Sequence, residues 1–103
     1  MTQLLELVTP GDVLYEEFMK PLNISQNQLA RDIDVPPSRI HAIVHGKRTL
    51  TADMALRLGK YFQTSAQLWI NLQARYDLKL AQRNEWPHIK NRIRTMEVTR
   101  AAS

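Results

Sequence analysis

The chain has 103 residues, of which 44% are hydrophobic, and its formal net charge is +4. This length predicts one domain with a single core, and the hydrophobic fraction is that of a folded globular protein. The absence of cysteine excludes disulfides and thiolate metal sites and fits a reducing cytoplasm, and no apolar run reaches the roughly 18 residues that a membrane span needs. The opening stretch MTQLLELVTPGD has no basic segment before its leucines and contains Glu6, so we expect no signal peptide.

Two helices are predicted in the first third of the chain. Thr9 is a good cap for the first helix, and Pro21 should stop it because proline cannot continue a helix. Ser25 and Gln28 form a capping-box pattern, in which the serine hydroxyl accepts a backbone hydrogen bond at the helix start. The second helix should therefore begin at Gln26.

A tight turn and a third helix follow. Asp34 occupies the turn, where the chain needs a residue that tolerates the left-handed conformation. Pro36 and Pro37 suit the first turn of a helix, and Gly46 suits its end. The sequence thus predicts two short helices hinged by a tight turn. The inward face of the third helix should consist of Ile40, Ile43 and Val44.

Two further helices complete a predicted set of five. Thr51 should cap the fourth helix, and Thr64 with Gln67 forms a second capping box that should start the fifth. The fifth helix is expected to end near Asn84, and residues 87–96 are expected to form a short extra helix. Because glycine is scarce and β-branched clusters are too short for strands, the predicted fold class is all-α. The predicted apolar face of the fifth helix consists of Leu68, Trp69, Leu72, Tyr76 and Leu80.

The outer face of the third helix carries the strongest functional signal. It contains no acidic residue, whereas a solvated surface helix usually mixes charges of both signs. Two short helices with such a face are the layout of a DNA-reading helix-turn-helix, whose second helix enters the major groove. The sequence therefore predicts binding to double-stranded DNA. The polar and basic residues of this face and the following loop are Ser38, Arg39, His41, His45, Lys47 and Arg48.

Roles for individual side chains follow from their reach. Arg39 can form two hydrogen bonds with the edge of a guanine, and Ala42 can contact a thymine methyl group. Gln26 and Ser38 lie at helix amino termini, where backbone N–H groups favour a phosphate. Phosphate contacts position a protein without conferring sequence preference. Such contacts are also expected from the loop residues Lys47, Arg48 and Thr49.

Other kinds of site fit the sequence less well. His41 and His45 have a spacing that can share a metal ion, but no third ligand is evident, and alanine replaces the glutamate of an H-E-x-x-H motif at position 42. We expect these imidazoles to face DNA or solvent, and we expect no metal or other cofactor. The sequence also lacks a cysteine nucleophile, a G-x-S-x-G turn and a phosphate-binding glycine loop, so we expect no enzymatic activity.

The aromatic and leucine face of the fifth helix has two interpretations. Its side chains can all be buried inside one chain, or they can form a two-fold dimer interface. We favour the homodimer, because a pair of helix-turn-helix units about 34 Å apart reads a palindromic operator. Residues 1–84 would then form a DNA-binding domain with a dimerising fifth helix, and residues 85–103 a basic C-terminal extension whose end, residues 99–103, is disordered. The residues assigned to core or dimer packing are Trp69, Leu72, Tyr76 and Leu80.

Short stretches along the chain match the pattern of one family. They are TPGDVL from Thr9, EEF from Glu16, GKR from Gly46, DMALRL from Asp53, LWINLQ from Leu68 and YDL from Tyr76. Together they resemble the HigA-type antitoxins, which belong to the Xre, or lambda-repressor-like, family of bacterial regulators. The resemblance covers about residues 10–80, and its most specific part is the Trp-x-Asn-Leu-Gln pattern that begins at Trp69.

The resemblance implies a five-helix DNA-binding protein that dimerises, represses its own operon and neutralises a partner toxin in the bacterial cytoplasm. In HigA-type systems that toxin, HigB, is a small ribonuclease that cleaves mRNA on the ribosome. A stand-alone Xre-family regulator without a toxin shares the same DNA-facing residues, so the sequence leaves that alternative open. The DNA contacts implied by the family are Gln26, Pro37, Ser38, Arg39, Ala42 and Lys47.

Two positions depart from the family pattern. Asp34 stands where glycine is usual, which implies a little strain in the turn. Ala42 stands where several relatives of the wider group carry a polar base reader, so direct base contact depends mostly on Arg39 and His41.

Two charged regions have open roles. The acidic residues Asp12, Glu16 and Glu17 either dock a basic toxin or simply aid solubility. The residues of the basic tail either contact phosphates or have no partner, and they are Lys90, Arg92, Arg94 and Arg100.

Overall fold

The computed structural model describes residues 7–97, and every regular element within them is a helix. The predicted all-α fold, with five main helices and a short additional one, is confirmed. None of the described helices is long and apolar enough to cross a membrane. The disorder expected for residues 99–103 lies outside the described residues. The elements are α1 (Pro10–Val13), which continues as a π-helix (Leu14–Met19), α2 (Gln26–Asp32), α3 (Pro37–Val44), α4 (Ala52–Phe62), α5 (Ala66–Asn84), α6 (Trp86–Ile89) and a 3-10 turn (Lys90–Arg92).

Three hydroxyl caps lie where the sequence predicts them. Thr9 Oγ1 accepts a hydrogen bond from the Asp12 N–H (3.0 Å), and the Asp12 carboxylate accepts one from the Thr9 N–H (3.1 Å), so α1 begins with a complete capping box. Ser25 Oγ accepts a hydrogen bond from the Gln28 N–H (3.0 Å), and α2 begins one residue after Ser25 as predicted. Thr51 caps α4 in the same way. These caps fix helix starts because they satisfy N–H groups that have no partner within the helix.

The predicted cap of α5 is wrong by one residue. The helix is capped by Ser65, whose Oγ accepts a hydrogen bond from the Leu68 N–H (3.1 Å), and not by Thr64 with Gln67. The Thr64 hydroxyl instead accepts a hydrogen bond from Trp69 Nε1 (2.9 Å). A buried indole N–H needs a partner, and this need takes the threonine away from the helix terminus.

The first helix is not a regular α-helix throughout, which its sequence pattern does not predict. From Leu14 to Met19 the backbone follows a π-helix, in which the Lys20 N–H donates to the Tyr15 carbonyl five residues earlier (2.8 Å). The wider turn still directs Leu14 and Met19 into the core, where both are buried. The helix ends just before Pro21, as expected.

The terminal helix is shorter than predicted. The sequence indicates residues 87–96, whereas α6 ends at Ile89 and the 3-10 turn ends at Arg92, after which Ile93 is extended. Every residue from 81 to 97 is exposed, so no buried face stabilises this segment as a longer helix. Short helices depend on such packing, because the first helical turn is costly to form.

The largest buried side chain in the core is Trp69 of α5. Its indole is fully buried and lies 5.0 Å from the ring of Phe18, which in turn lies 4.9 Å from the ring of Phe62. The assignment of Leu68 to the same apolar face is wrong, since Leu68 is 37% exposed and neighbouring helix positions point about 100° apart. The other large side chains with almost no exposure are Leu14, Met19, Leu29, Ile40, Ile43, Leu50, Met54 and Leu58.

The last helices project from this core. α5 packs against α4 and α1, but its final residues and all of α6 are exposed. The radius of gyration is 17.6 Å and the longest dimension is 56 Å. A compact domain of this size has a radius of gyration of about 13 Å. The molecule is therefore a small helical core with an extended C-terminal arm, which comprises residues 78–97.

Candidate nucleic-acid interface

The turn between α2 and α3 is built on a left-handed residue. Asp34 has a φ of 61°, as predicted for this position. The N–H of Asp34 donates to the Arg31 carbonyl (3.3 Å), and the N–H of Val35 donates to the Ala30 carbonyl (2.9 Å). This pair of bonds is a Schellman motif, which closes the end of α2 and turns the chain sharply towards α3.

The reading helix α3 has a defined start and end. Pro37 occupies its first position, as predicted, whereas Pro36 lies just before the helix and caps it with extended backbone. At the other end Gly46 has a φ of 71°, and the N–H of Lys47 donates to the Ala42 carbonyl (2.8 Å). The helix thus ends in a second Schellman motif, which releases the chain into an exposed loop.

The two faces of α3 differ as the sequence predicts. Ile40 and Ile43 are buried, while Val44 is half-buried beside them. The opposite face contains no carboxylate, so its electrostatic potential favours an anionic partner. On that face Ser38, His41 and His45 are exposed, and Arg39 and Ala42 are half-buried.

The remaining predicted contacts flank this helix. The loop residues Lys47, Arg48 and Thr49 are all exposed and follow α3 directly. Pro37 is exposed at the start of α3, and Gln26 lies on the separate helix α2, half-buried at its first position. Because α2 and α3 pack against each other, the fold carries all of these residues on one helix-turn-helix unit.

His41 and His45 stack on the exposed face of α3. Their ring centroids are 4.2 Å apart and the ring planes are tilted by 52°. Among residues 7–97 no third histidine, cysteine or carboxylate joins them to form a cluster that could hold a metal ion. Two imidazoles on their own fall short of the four ligands typical of a protein zinc site.

Arg57 of α4 contacts the turn between α2 and α3. This contact was not predicted by the sequence analysis. The Nη1 of Arg57 donates to the carbonyls of Ile33 (2.6 Å) and Asp34 (3.0 Å), and its Nε donates to Asp53 Oδ2 (2.8 Å). The spacing of four residues between Asp53 and Arg57 predicts their ion pair on one helix face. No local pattern, however, indicates that the guanidinium also contacts a turn more than 20 residues away.

A second tie joins α4 to the end of α2. The Tyr61 hydroxyl donates to Asp32 Oδ2 (2.8 Å). This hydrogen bond, with burial and the charge of Asp32 adding to it, raises the pKa of Tyr61 above its usual value. The hydroxyl is therefore protonated and able to donate throughout the neutral pH range.

Comparison with known proteins identifies this architecture. A family model described as helix-turn-helix matches residues 16–69. The chain belongs to the helix-turn-helix family. Virulence-associated protein I of Dichelobacter nodosus is 47% identical over 78 residues, which span 76% of this chain and 72% of that protein.

Solved structures place this helix-turn-helix protein beside the HigA antitoxins. The antitoxin HigA of Pseudomonas aeruginosa, solved with the higBA promoter, has a TM-score of 0.85 and 40% identity and covers 88% of this chain and 99% of that one. An addiction module antidote protein of the HigA family from Coxiella burnetii has a TM-score of 0.83 and 38% identity, with coverage of 88% and 99%. The resemblance to HigA-type antitoxins of the Xre family is thus confirmed, and this family is one of DNA-binding proteins and not of enzymes.

Gln73 is a further residue of this helix-turn-helix protein to which the sequence analysis assigned no individual role. Its Oε1 accepts a hydrogen bond from the Leu50 N–H (2.8 Å), and its Nε2 donates to Asp77 Oδ1 (2.9 Å). Gln73 is the last residue of the Trp-x-Asn-Leu-Gln pattern. That pattern indicated the family but not the hydrogen bonds that Gln73 makes. The bond to the Leu50 N–H anchors the loop after α3 to α5 at Leu50, where the exposed basic segment of that loop ends.

The residues assigned to core or dimer packing separate into two groups. Trp69 is fully buried within its own chain, so it is a core residue. Leu72, Tyr76 and Leu80 are half-buried. The C-terminal arm also exposes large apolar side chains, which are Leu78 (60% exposed), Trp86, Ile89, Ile93 (59%) and Met96.

Proposed function

We propose that this protein is a sequence-specific DNA-binding antitoxin that represses its own operon and neutralises a HigB-type, mRNA-cleaving toxin. The observation that carries the DNA-binding part is the carboxylate-free outer face of α3, which two Schellman motifs present to solvent with Arg39 on it. A related HigA antitoxin solved with promoter DNA supports the same conclusion.

The proposed contacts are of two kinds, base contacts and phosphate contacts. Arg39 reads a guanine through two hydrogen bonds, and Ala42 packs against a thymine methyl group, with His41 beside them in the major groove. Phosphate oxygens are bound by the loop side chains and by the amino termini of α2 and α3. The proposed phosphate-binding residues are Gln26, Ser38, Lys47, Arg48 and Thr49. Pro37 has no N–H to donate, so its proposed DNA contact is one of packing only.

Arg39→Ala tests the reading role. We expect operator binding to weaken by about 1–3 kcal/mol, which is roughly 5- to 150-fold in Kd, with relaxed preference at one base pair. A gel-shift titration against the DNA upstream of the gene, and against duplexes with single base changes, measures both effects. Unchanged affinity would remove Arg39 from the reading face.

Lys47→Ala is the matched control for a phosphate contact. It retains the backbone N–H that closes the Schellman motif, so α3 should keep its end. We expect binding to all duplexes to weaken by a similar factor and the slope of log K against log salt to fall by about one. A change of sequence preference in Lys47→Ala would contradict the assignment of Lys47 as a phosphate contact.

We also propose that two chains bind a palindromic operator as a homodimer through α5 and the C-terminal arm. The exposed apolar side chains of the arm support a second copy as their partner, because a monomer would leave them in water. Residues 1–84 then serve as the DNA-binding domain, and residues 85–103 as a basic extension. Sedimentation should give twice the chain mass, and Leu78→Asp should shift it towards the monomer. Leu22→Asp is the control, because Leu22 is equally exposed (58%) but lies outside the arm.

The antitoxin part needs a partner, and we propose the acidic patch of the first helix as its docking site. Asp12, Glu16 and Glu17 are all exposed, and only Glu16 has an ion pair among the described residues, with Lys20 at 3.7 Å. A short basic ribonuclease encoded immediately upstream should co-purify with the protein, and Glu17→Lys should weaken this complex while Glu85→Lys should not. Absence of such a gene would favour the stand-alone regulator, and intact neutralisation in Glu17→Lys would exclude this patch.

A further inference from the structure

We propose that Arg57 is a positioning residue for DNA reading, which holds the turn between α2 and α3 so that α3 presents Arg39 to the bases. The inference rests on the DNA-binding function proposed above. Arg57 lies on α4 and is not among the predicted DNA contacts, and its hydrogen bonds to the turn are the route by which it would affect binding.

The turn leaves two backbone carbonyls for a partner outside it. The N–H groups of Asp34 and Val35 are used to close α2, and the carbonyls of Ile33 and Asp34 both accept hydrogen bonds from Arg57 Nη1. A hydrogen bond from a charged donor is roughly twice as strong as one between neutral groups. One guanidinium nitrogen therefore fixes two consecutive peptide groups of the turn.

The turn needs this support because its central residue is strained. Asp34 adopts a φ of 61°, a region that is unfavourable for residues with a Cβ. Strained backbone persists only where surrounding contacts hold it. The two bonds from Arg57 act on the peptide groups on either side of the Asp34 Cα, so they stabilise this conformation directly.

Arg57 is oriented by an ion pair on its own helix. Its Nε donates to Asp53 Oδ2 at 2.8 Å, one turn earlier on α4. The same helix buries Met54 and Leu58 in the core. The guanidinium therefore connects the rigid core to the turn.

The segment after the turn transmits this position to the reading residue. Only four residues separate Asp34 from Arg39, and two of them are Pro36 and Pro37, whose φ angles are fixed by their rings. A segment this short and stiff cannot absorb a change in the turn. Release of the turn should therefore tilt α3 and move Arg39 away from its base pair.

The test compares Arg57→Met with Lys60→Met. Both remove one positive charge from α4, but Lys60 is exposed and makes no hydrogen bond or ion pair with the turn. Affinities for the operator and for a scrambled duplex are measured by fluorescence anisotropy, at a temperature where circular dichroism shows each variant fully folded. We expect Arg57→Met to lose tenfold or more on the operator and less than twofold on scrambled DNA. Lys60→Met should change both by less than twofold.

Asp53→Ala provides a second variant should Arg57→Met fail to fold. It removes the oxygen that accepts the hydrogen bond from Arg57 Nε and makes the chain more positive, so electrostatics alone would strengthen DNA binding. The positioning role instead predicts a weaker operator complex with an unchanged or stronger scrambled complex.

Three results would overturn the inference. The first is a folded Arg57→Met variant with wild-type operator affinity. The second is an equal loss on both duplexes with a salt slope lower by about one, which would make Arg57 a phosphate contact. The third, for Asp53→Ala, is an operator complex as tight as that of the wild type. Failure of the proposed function is distinguishable from all three, because it appears first as a wild-type protein with no operator preference.

Discussion

Trp69→Ala is expected to lower the free energy of unfolding by about 3–5 kcal/mol, the usual cost of truncating a buried tryptophan. The indole is fully buried, contacts the ring of Phe18 at 5.0 Å and donates to the Thr64 hydroxyl. Its removal leaves a large cavity and an acceptor without its partner. Since a small domain has a total stability of about 5–15 kcal/mol, this single change should leave it marginal. Urea denaturation followed by circular dichroism measures the loss.

Trp69→Phe separates packing from the hydrogen bond. Phenylalanine keeps most of the aromatic bulk but cannot donate to Thr64, so we expect a smaller loss of about 1–2 kcal/mol. An equal loss in the two variants would show that the hydrogen bond outweighs the packing. A loss below 1 kcal/mol in Trp69→Ala would contradict the central place of the indole in the core.

Gly11→Ala is expected to destabilise the protein by about 3 kcal/mol, at the upper end of overpacking costs. Gly11 is buried where α1 crosses α3, and a Cβ there would overlap the Ile43 carbonyl oxygen and lie 2.9 Å from the Val44 Cα. Helix propensity alone favours alanine over glycine by about 1 kcal/mol. The free energy of unfolding should therefore fall if the steric overlap dominates, and it should rise if helix propensity dominates.

Gly46→Ala is the control for this prediction. The added Cβ has room, with the nearest atom, Thr9 Cγ2, at 3.7 Å, but the φ of 71° is unfavourable for alanine. We expect a cost of about 1–2 kcal/mol from this conformation alone. The loss of stability in Gly11→Ala should exceed this cost when both variants are compared by thermal denaturation. A gel-shift titration of Gly11→Ala, at a temperature where the protein is folded, should also show weaker operator binding. A more stable Gly11→Ala protein would refute the close approach.

Much of the fold could be predicted because it is encoded locally. Capping at Thr9, Ser25 and Thr51 needs only a hydroxyl and a following N–H, so a short window of sequence contains the whole signal. The left-handed turn at Asp34 and the end of α3 at Gly46 are likewise properties of single residues. The amphipathic stripe of α3 predicted correctly which face is buried.

The features that could not be predicted depend on distant contacts. Thr64 looked like a helix cap, but the buried Trp69 indole takes its hydroxyl, and only the packed structure shows that competition. Arg57 was assigned no role by the sequence analysis, yet its guanidinium donates to the carbonyls of a turn more than 20 residues away. The π-helical turn after α1 has no local signature in the sequence.

The positions of the candidate site residues could be predicted from the sequence, but their individual roles could not. The residue types on α3 and its loop follow directly from helical periodicity, and the structure places them on one unit. Their individual roles in DNA binding stay predictions, because they depend on the distance of each side chain from a base or a phosphate. Gln73 and Arg57 were not predicted, because both make hydrogen bonds to backbone groups that are distant in sequence.

The backbone contact between Gly11 and Ile43 has a consequence for regulation. It joins the first helix to the last turn of the reading helix with no side chain between them, and closely packed backbones transmit displacement with little loss. A partner that shifts the exposed acidic side of the first helix would therefore also shift the DNA-reading surface. The two binding events would share one coupling free energy, equal in both directions. In an operon under its own repressor, such coupling makes the amount of free partner a direct input to transcription.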